Sequence, residues 1–241
     1  MVEPELLEVK NLRTWFDTPE GVVKSVDGVS FSIHKGETMA LVGESGCGKT
    51  VTSLSLIRLL PKSARVKADY MRIDGDRILE LTNAEARRIR GSKISMIFQE
   101  PMTSLNPSYK IEKQIGEVYR LHNPGISKGE IRKRSIETLR KVGVPNPAER
   151  LKVYPHQLSG GLRQRVMIAI SLASHPQMLI ADEPTTALDV TIQAQIIDLL
   201  KNLQKEMHMS ILLITHDFGV VSQIANRVAV MYAGKIVEEG S

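Results

Sequence analysis

Apolar residues along this chain follow two rhythms. Thr38 to Val42, Ile94 to Phe98, Met178 to Asp182 and Ile211 to Thr215 are short, nearly unbroken apolar runs, too brief for helices. With glycines or acids at their borders, they predict strands buried on both faces. Between them, apolar residues recur every three or four positions. Val51, Leu54, Ile57 and Leu60 predict one helix, stopped by Pro61, and Ile192, Ile196, Leu200, Leu203 and Met207 predict one face of another. Thr82 with Glu85, and Ser127 with Glu130, have the spacing of capping boxes and mark two more helix starts. Buried strands alternating with amphipathic helices predict an α/β fold with a parallel core.

Two stretches depart from that alternation. From Leu6 to Ile33, β-branched runs broken by Asp and Gly predict a strand-rich N-terminal layer. From about Pro101 to Ala173 the pattern is helical throughout and punctuated by Pro107, Pro124, Pro145, Pro147 and Pro155. This predicts a helical subdomain, 101–173, inserted into a core built from 1–100 and 174–241. Val228 to Ala233, Gly234-Lys235 and Ile236 to Glu239 predict a closing hairpin.

Composition changes this picture little. The 241 residues are 42% hydrophobic, 4% aromatic and 24% charged, so a sizeable aliphatic core is expected. The net charge of +5 is spread and not blocked; it permits an anionic partner without requiring one. A single cysteine, Cys47, rules out a disulfide framework and predicts a reducing compartment. Met1 to Lys10 lacks the basic and apolar regions of a signal peptide, and no apolar run approaches the ~20 residues that span a bilayer. A cytosolic chain is expected, with any membrane role supplied by a partner.

The chemistry is concentrated in a few places. Gly43 to Thr50 reads GESGCGKT, between a predicted strand and a predicted helix. Gly43, Gly46 and Gly48 allow the backbone of the loop, with Glu44, Ser45 and Cys47, to wrap phosphate oxygens with its N–H groups. The helix N-terminus adds about half a positive charge and Lys49 a full one, while the Thr50 hydroxyl can ligate Mg²⁺. Cys47 sits where alkylation should block a nucleotide; no base is placed to make it a nucleophile. Asp182 and Glu183 end a buried strand at the edge where α/β proteins bind ligands. Strand alternation should put their side chains on opposite faces, with Asp182 suited to the metal and Glu183 to a general base. Gln99 and His216 each follow a buried strand. The Gln can orient water and touch the metal; the His can contact the γ-phosphate or steady the base.

Leu158 to Arg165, LSGGLRQR, resembles the signature of ATP-binding cassette (ABC) proteins. The glycine loop, Gln99, this signature, Asp182-Glu183, the D-loop Ala187-Leu188-Asp189 and His216 stand in that family's order. The resemblance implies a P-loop ABC nucleotide-binding domain: a RecA-like core, an antiparallel β subdomain and an inserted helical subdomain. It implies an ATPase using ATP and Mg²⁺, with Phe16 stacking on adenine and Trp15 the weaker candidate. Ser159, Gly160 and Gly161 would form a second anion-binding helix N-terminus, closing on ATP held by the opposite subunit of a head-to-tail dimer, with Asp189 across the interface.

Gln99 to Pro107, Tyr154 to Gln157 and Asp182 to Asp189 (DEPTTALD) look like the dipeptide/oligopeptide importer branch. That branch implies a related ATPase subunit as partner, two membrane permeases, an extracytoplasmic substrate-binding protein, and a peripheral position on the cytoplasmic face of the inner membrane. The helical subdomain would receive the permease's coupling helix, near Glu100 to Pro107. Leu162 replaces the Gln of many signatures, as this branch commonly does, and the family continues beyond the position of Ser241. Importers of nickel or other small solutes share these motifs. A soluble cassette acting on nucleic acid or ribosomes usually carries a coiled-coil insertion or a second cassette, so no nucleic-acid partner is expected. In a P-loop kinase, the signature and His216 would have no purpose.

Overall fold

The structure is a computed structural model and describes residues 5–100, 104–186 and 188–241. Two long strands, β1 (Glu5–Thr18) and β2 (Gly21–His34), pair antiparallel. β3 (Thr38–Val42) then runs, fully buried, into the glycine loop and α1 (Lys49–Leu56). The chain returns to the first sheet as β4 (Ala64–Lys67), β5 (Tyr70–Ile73) and β6 (Asp76–Arg77), with β4 and β5 both pairing to β1. After α2 (Asn83–Ser92) comes β7 (Ile94–Ile97). Every described element from there to β8 is helical: α3 (Ile111–His122), α4 (Lys128–Lys141), the short α5 (Pro147–Arg150), a 3₁₀ turn (Pro155–Gln157) and α6 (Gly160–Leu172). β8 (Met178–Asp182), α7 (Val190–Met207), β9 (Ser210–Thr215), α8 (Phe218–Ile224), β10 (Arg227–Tyr232) and β11 (Lys235–Gly240) complete the chain.

The second sheet has the order β11-β10-β3-β9-β8-β7 and is parallel apart from the closing β10–β11 hairpin. All residues of β3, β8 and β9 are buried, because each strand is covered twice. Met178, Ile180, Leu212 and Ile214 pack with Leu12, Val26 and Leu56 on the β1–β2 side; Leu179, Ala181, Ile211 and Leu213 pack with Ile196, Leu200 and Val166 on the other. Ile111, Ile115, Leu139 and Leu158 of the helical stretch belong to that second cluster, so the helices share one continuous core with the sheet. A buried hydrogen bond of 2.8 Å between Thr14 of β1 and Ser55 of α1 ties the antiparallel layer to the helix behind the glycine loop.

Three local expectations are modified. The helix after the glycine loop ends at Leu56, a turn before Pro61. Arg58 takes a left-handed conformation, φ 52°, and the Leu59 N–H bonds back to the Leu54 carbonyl at 3.0 Å, which closes the helix end. The box at Thr82 and Glu85 is reciprocal, whereas at Ser127 only the serine oxygen accepts, from the Glu130 N–H. The strands β4 to β6 go unpredicted because they are short, half-exposed and rich in Arg, Lys and Asp.

Candidate nucleotide-hydrolysis site

The glycine loop is wedged between three elements. A Cβ on Gly43 would lie 2.1 Å from the Met231 carbonyl oxygen of β10, and one on Gly48 would lie 2.3 Å from the Ser25 carbonyl oxygen of β2. Neither backbone oxygen can yield, so only glycine fits at either position. The closing hairpin grips the loop from below: the Gly234 N–H donates to the Cys47 carbonyl at 2.9 Å, and the Asp27 N–H to the Gly234 carbonyl at 2.8 Å. Gly46 has no atom within 4 Å of its Cβ position, so the loop's outer curve stays open. Cys47 is buried, with its sulfur 3.7 Å from the Lys49 ammonium.

Lys49 is 5% exposed and donates to the Gly43 and Glu44 carbonyls, both at 2.8 Å. It thereby holds its charge at the mouth of the loop. No side chain caps α1 and no acid sits in its first turn, so its N-terminal N–H groups and dipole face the loop uncompensated. Loop, lysine and helix end form an anion-binding concavity.

The acids lie next to it. The Thr50 hydroxyl donates to Asp182 Oδ1 at 3.3 Å. Asp182 is buried, and that burial, reinforced by the neighbouring Glu183, pushes its carboxyl up to about 6 against the pull of Thr50 and Lys49. A cation between Thr50 and Asp182 would offset the cost of that buried charge. Among the described residues no three His, Cys, Asp or Glu side chains converge on a metal position. An ion here would draw on hydroxyl, carboxylate and phosphate oxygens, the preference of Mg²⁺.

Glu183 does not continue the strand. It turns left-handed, φ 45°, while its N–H donates to the Ile214 carbonyl at 2.8 Å. That turn, and not strand alternation, swings its carboxylate away from Asp182 into a cluster of its own. Gln99 Nε2 and Thr186 Oγ1 both donate to Glu183 Oε2 at 2.9 Å, and His216 Nδ1 lies 3.3 Å from Oε1. Residues from the ends of three strands thus meet on one carboxylate. Thr186 was not singled out in the sequence; its position three residues after the acid, across the turn, was the available signal.

The remaining candidates stand elsewhere. Ser159 Oγ accepts the Leu162 N–H at 3.4 Å as the cap of α6. The Cβ positions of Gly160 and Gly161 meet Leu188 at 3.8 Å and Ile192 at 3.1 Å, and no atom nearest Gly43, Gly46 or Gly48 comes from this turn. Gln164 anchors α6 by donating to the Pro184 carbonyl at 2.6 Å. Asp189 is exposed and caps α7 by accepting the Ile192 N–H at 2.9 Å. Phe16 shares a face of β1 with Thr14, whose hydroxyl touches α1. Trp15 points the opposite way, under the Lys24 ammonium at 5.0 Å. Pro101, Met102, Thr103 and Ala187 lie outside the described residues.

A strand–glycine loop–helix cradle, with two consecutive acids at the end of the strand beside it, defines a P-loop nucleoside triphosphatase. Comparison with known proteins narrows the class. The family described as ABC transporter matches residues 26–186. The dipeptide transport ATP-binding protein DppD of Lactococcus lactis subsp. cremoris is 52% identical over 241 residues, covering 100% of this chain and 69% of that protein. The oligopeptide transport ATP-binding protein OppD of Bacillus subtilis is 53% identical over 237 residues, 98% of this chain and 66% of that one. A solved ATP-binding cassette, dimeric in a post-hydrolysis state bound to ADP and Pi, superposes with a TM-score of 0.86 at 28% identity over 98% of each chain. The chain belongs to the ABC transporter family and is an ATPase with that family's nucleotide-binding fold.

Proposed function

We propose that this chain hydrolyses Mg²⁺-bound ATP at a site completed by a second cassette subunit, and that hydrolysis drives uptake of di- or oligopeptides through membrane permeases. The observation that carries the catalytic part is the convergence of Gln99, Thr186 and His216 on Glu183, beside the Thr50–Asp182 pair.

The triphosphate enters along Gly43 to Thr50, with Phe16 against the adenine and Lys49 moving from the loop carbonyls toward the β- and γ-phosphates. Thr50 and Asp182, with Gln99 nearby, would hold Mg²⁺, which would supply positive charge to the phosphate oxygens. Glu183 orients a water and takes its proton as the water oxygen bonds to the γ-phosphorus. The bond to the β–γ bridging oxygen breaks, leaving ADP and phosphate. Gln99 and Thr186 fix Glu183 Oε2, and His216, 3.3 Å from Oε1 and 64% exposed at its side chain, would swing from Oε1 to the γ-phosphate and leave that oxygen to the water.

Ser159 to Gly161 serve the partner's nucleotide: they form an exposed helix N-terminus away from their own chain's cradle. Asp189 lies at the same junction. The partner is a second copy or a related subunit.

Permease docking falls to a groove of about 610 Å³ between the helical subdomain and the core. Ser104, Leu105, Tyr109 and Leu121 line it beside Phe98, one residue before Gln99. No helix among the described residues is long and apolar enough to cross a membrane. A peripheral position at the cytoplasmic side rests on the likeness to transport ATP-binding proteins. The peptide cargo rests on the names of relatives 52–54% identical to this chain.

The test is ATPase turnover of the chain assembled with two permeases and a substrate-binding protein in vesicles. Peptide-stimulated turnover, lost in Glu183→Gln with ATP binding retained, is expected. Stimulation by Ni²⁺ but not by peptides would overturn the cargo, and an active Glu183→Gln assembly would overturn the base.

A further inference from the structure

Behind α1, at the end away from the glycine loop, lies a cavity of about 500 Å³ between the helix end, β4 and α2. Arg58, Arg87 and Arg90 all line it, with the Asn83 amide, and no carboxylate does. None of the three arginines forms an ion pair among the described residues, although eleven ion-pair contacts are formed elsewhere, by Arg13, Lys35, Arg65, Arg77, Lys93, Arg134, Lys141, His216 and Arg227.

Part of this has a structural reason. Arg90 donates to the Ile57 carbonyl at 3.0 Å and Arg58 donates to the Leu81 carbonyl, so both tie down helix and loop ends. The C-terminal dipole of α1 offers about half a negative charge against three full positive ones, so it cannot balance them. The Arg87 side chain makes no hydrogen bond or ion pair among the described residues. Burial first, then the facing charges of Arg87 and Arg58, pull the Arg90 guanidinium below its ordinary value. Three guanidinium groups converging without a counter-charge are a fork-shaped donor set suited to phosphate oxygens.

We propose that this cavity is a binding site for a small polyanion bearing phosphate groups, separate from the nucleotide cradle. α1 is eight residues long, so roughly 12 Å of helix lie between Lys49 and the arginines. The same helix carries Lys49 and Thr50, and α2 leads through Lys93 into β7 and Gln99. An occupant therefore touches both segments that supply the hydrolysis site, at a position suited to setting its rate. Two sources share this chemistry, a soluble polyphosphate and an anionic lipid headgroup.

The experiment titrates pyrophosphate into the full chain saturated with Mg·ADP, so that the glycine loop is already filled, and reads heat. Saturable binding to wild type is expected. Arg87→Glu should weaken it by roughly tenfold or more, and Arg88→Glu, one residue along α2 and off the cavity lining, by less than about twofold. Arg87 is exposed and its side chain holds no hydrogen bond or ion pair among the described residues, so melting temperature and basal ATPase rate should not change in either variant. Co-flotation with phosphatidylglycerol vesicles that pyrophosphate displaces and Arg87→Glu abolishes marks a headgroup as the source. Pyrophosphate binding without vesicle affinity marks a soluble polyphosphate. Absence of saturable pyrophosphate binding, or equal losses in the two variants, overturns the site.

Discussion

The glycine loop and the signature turn both lie at helix N-termini, yet they are held very differently. The loop is locked inside the chain: Gly43 and Gly48 touch backbone oxygens of β10 and β2, and Lys49 is buried against two carbonyls. The turn at Ser159 to Gly161 is exposed at Ser159 and Gly160 and rests on Leu188 and Ile192. Its firm tie runs from Gln164 to Pro184, just past Glu183. On the proposed function, the inward half and the outward half meet across two subunits. The Gln164 tie also joins the outward turn to the segment that carries the chain's own Glu183, so in the proposed dimer it would link the two sites mechanically.

That contrast can be broken by substitutions on either half. Glu183→Gln should cut turnover by roughly 10²–10⁴-fold with ATP binding retained, measured as steady-state phosphate release alongside nucleotide titration. Ser159→Arg should remove about 10²-fold or more of turnover while ATP binding by the isolated subunit stays at the wild-type level. A parallel loss of monomer binding there would place the turn in its own chain's site. Gly48→Ala should act on the inward half alone, lowering thermal stability by roughly 1–3 kcal/mol through the clash with Ser25 and weakening nucleotide binding with it. Thr186→Ala should be mildest, about 1 kcal/mol or roughly fivefold in turnover, because Gln99 still holds the same Glu183 oxygen. A larger loss would make Thr186 a ligand to the reacting groups themselves.

The two halves were also unequally legible in the sequence. The cradle could be read because its requirements are local: glycines, a lysine and a hydroxyl at fixed spacing between a strand and a helix. The apolar runs at Thr38 to Val42 and Met178 to Asp182 announced buried strands for the same reason. What grips the loop was invisible, since Met231 and Gly234 lie about 190 residues downstream of Gly43 and look like parts of an ordinary hairpin. The convergence on Glu183 depends on its left-handed turn, which an apolar strand followed by an acid does not signal. Arg58 ended a helix whose apolar spacing continued to Leu60, because a long-range bond to the Leu81 carbonyl holds a conformation that local preference resists. The outward role of Ser159 came from the family resemblance and from the redundancy of two anion sites in one chain, not from periodicity.

The most direct test of a site divided between subunits is a mixing measurement. Glu183→Gln protein, with an intact signature, is combined with Ser159→Arg protein, with an intact base, and phosphate release is followed as the ratio is varied. In a mixed dimer one site joins the intact Glu183 of one subunit to the intact Ser159 of the other, so turnover should rise well above that of either variant alone and peak near equal amounts. A mixture no faster than the sum of its two parts, under conditions where wild type turns over, would contradict the shared site.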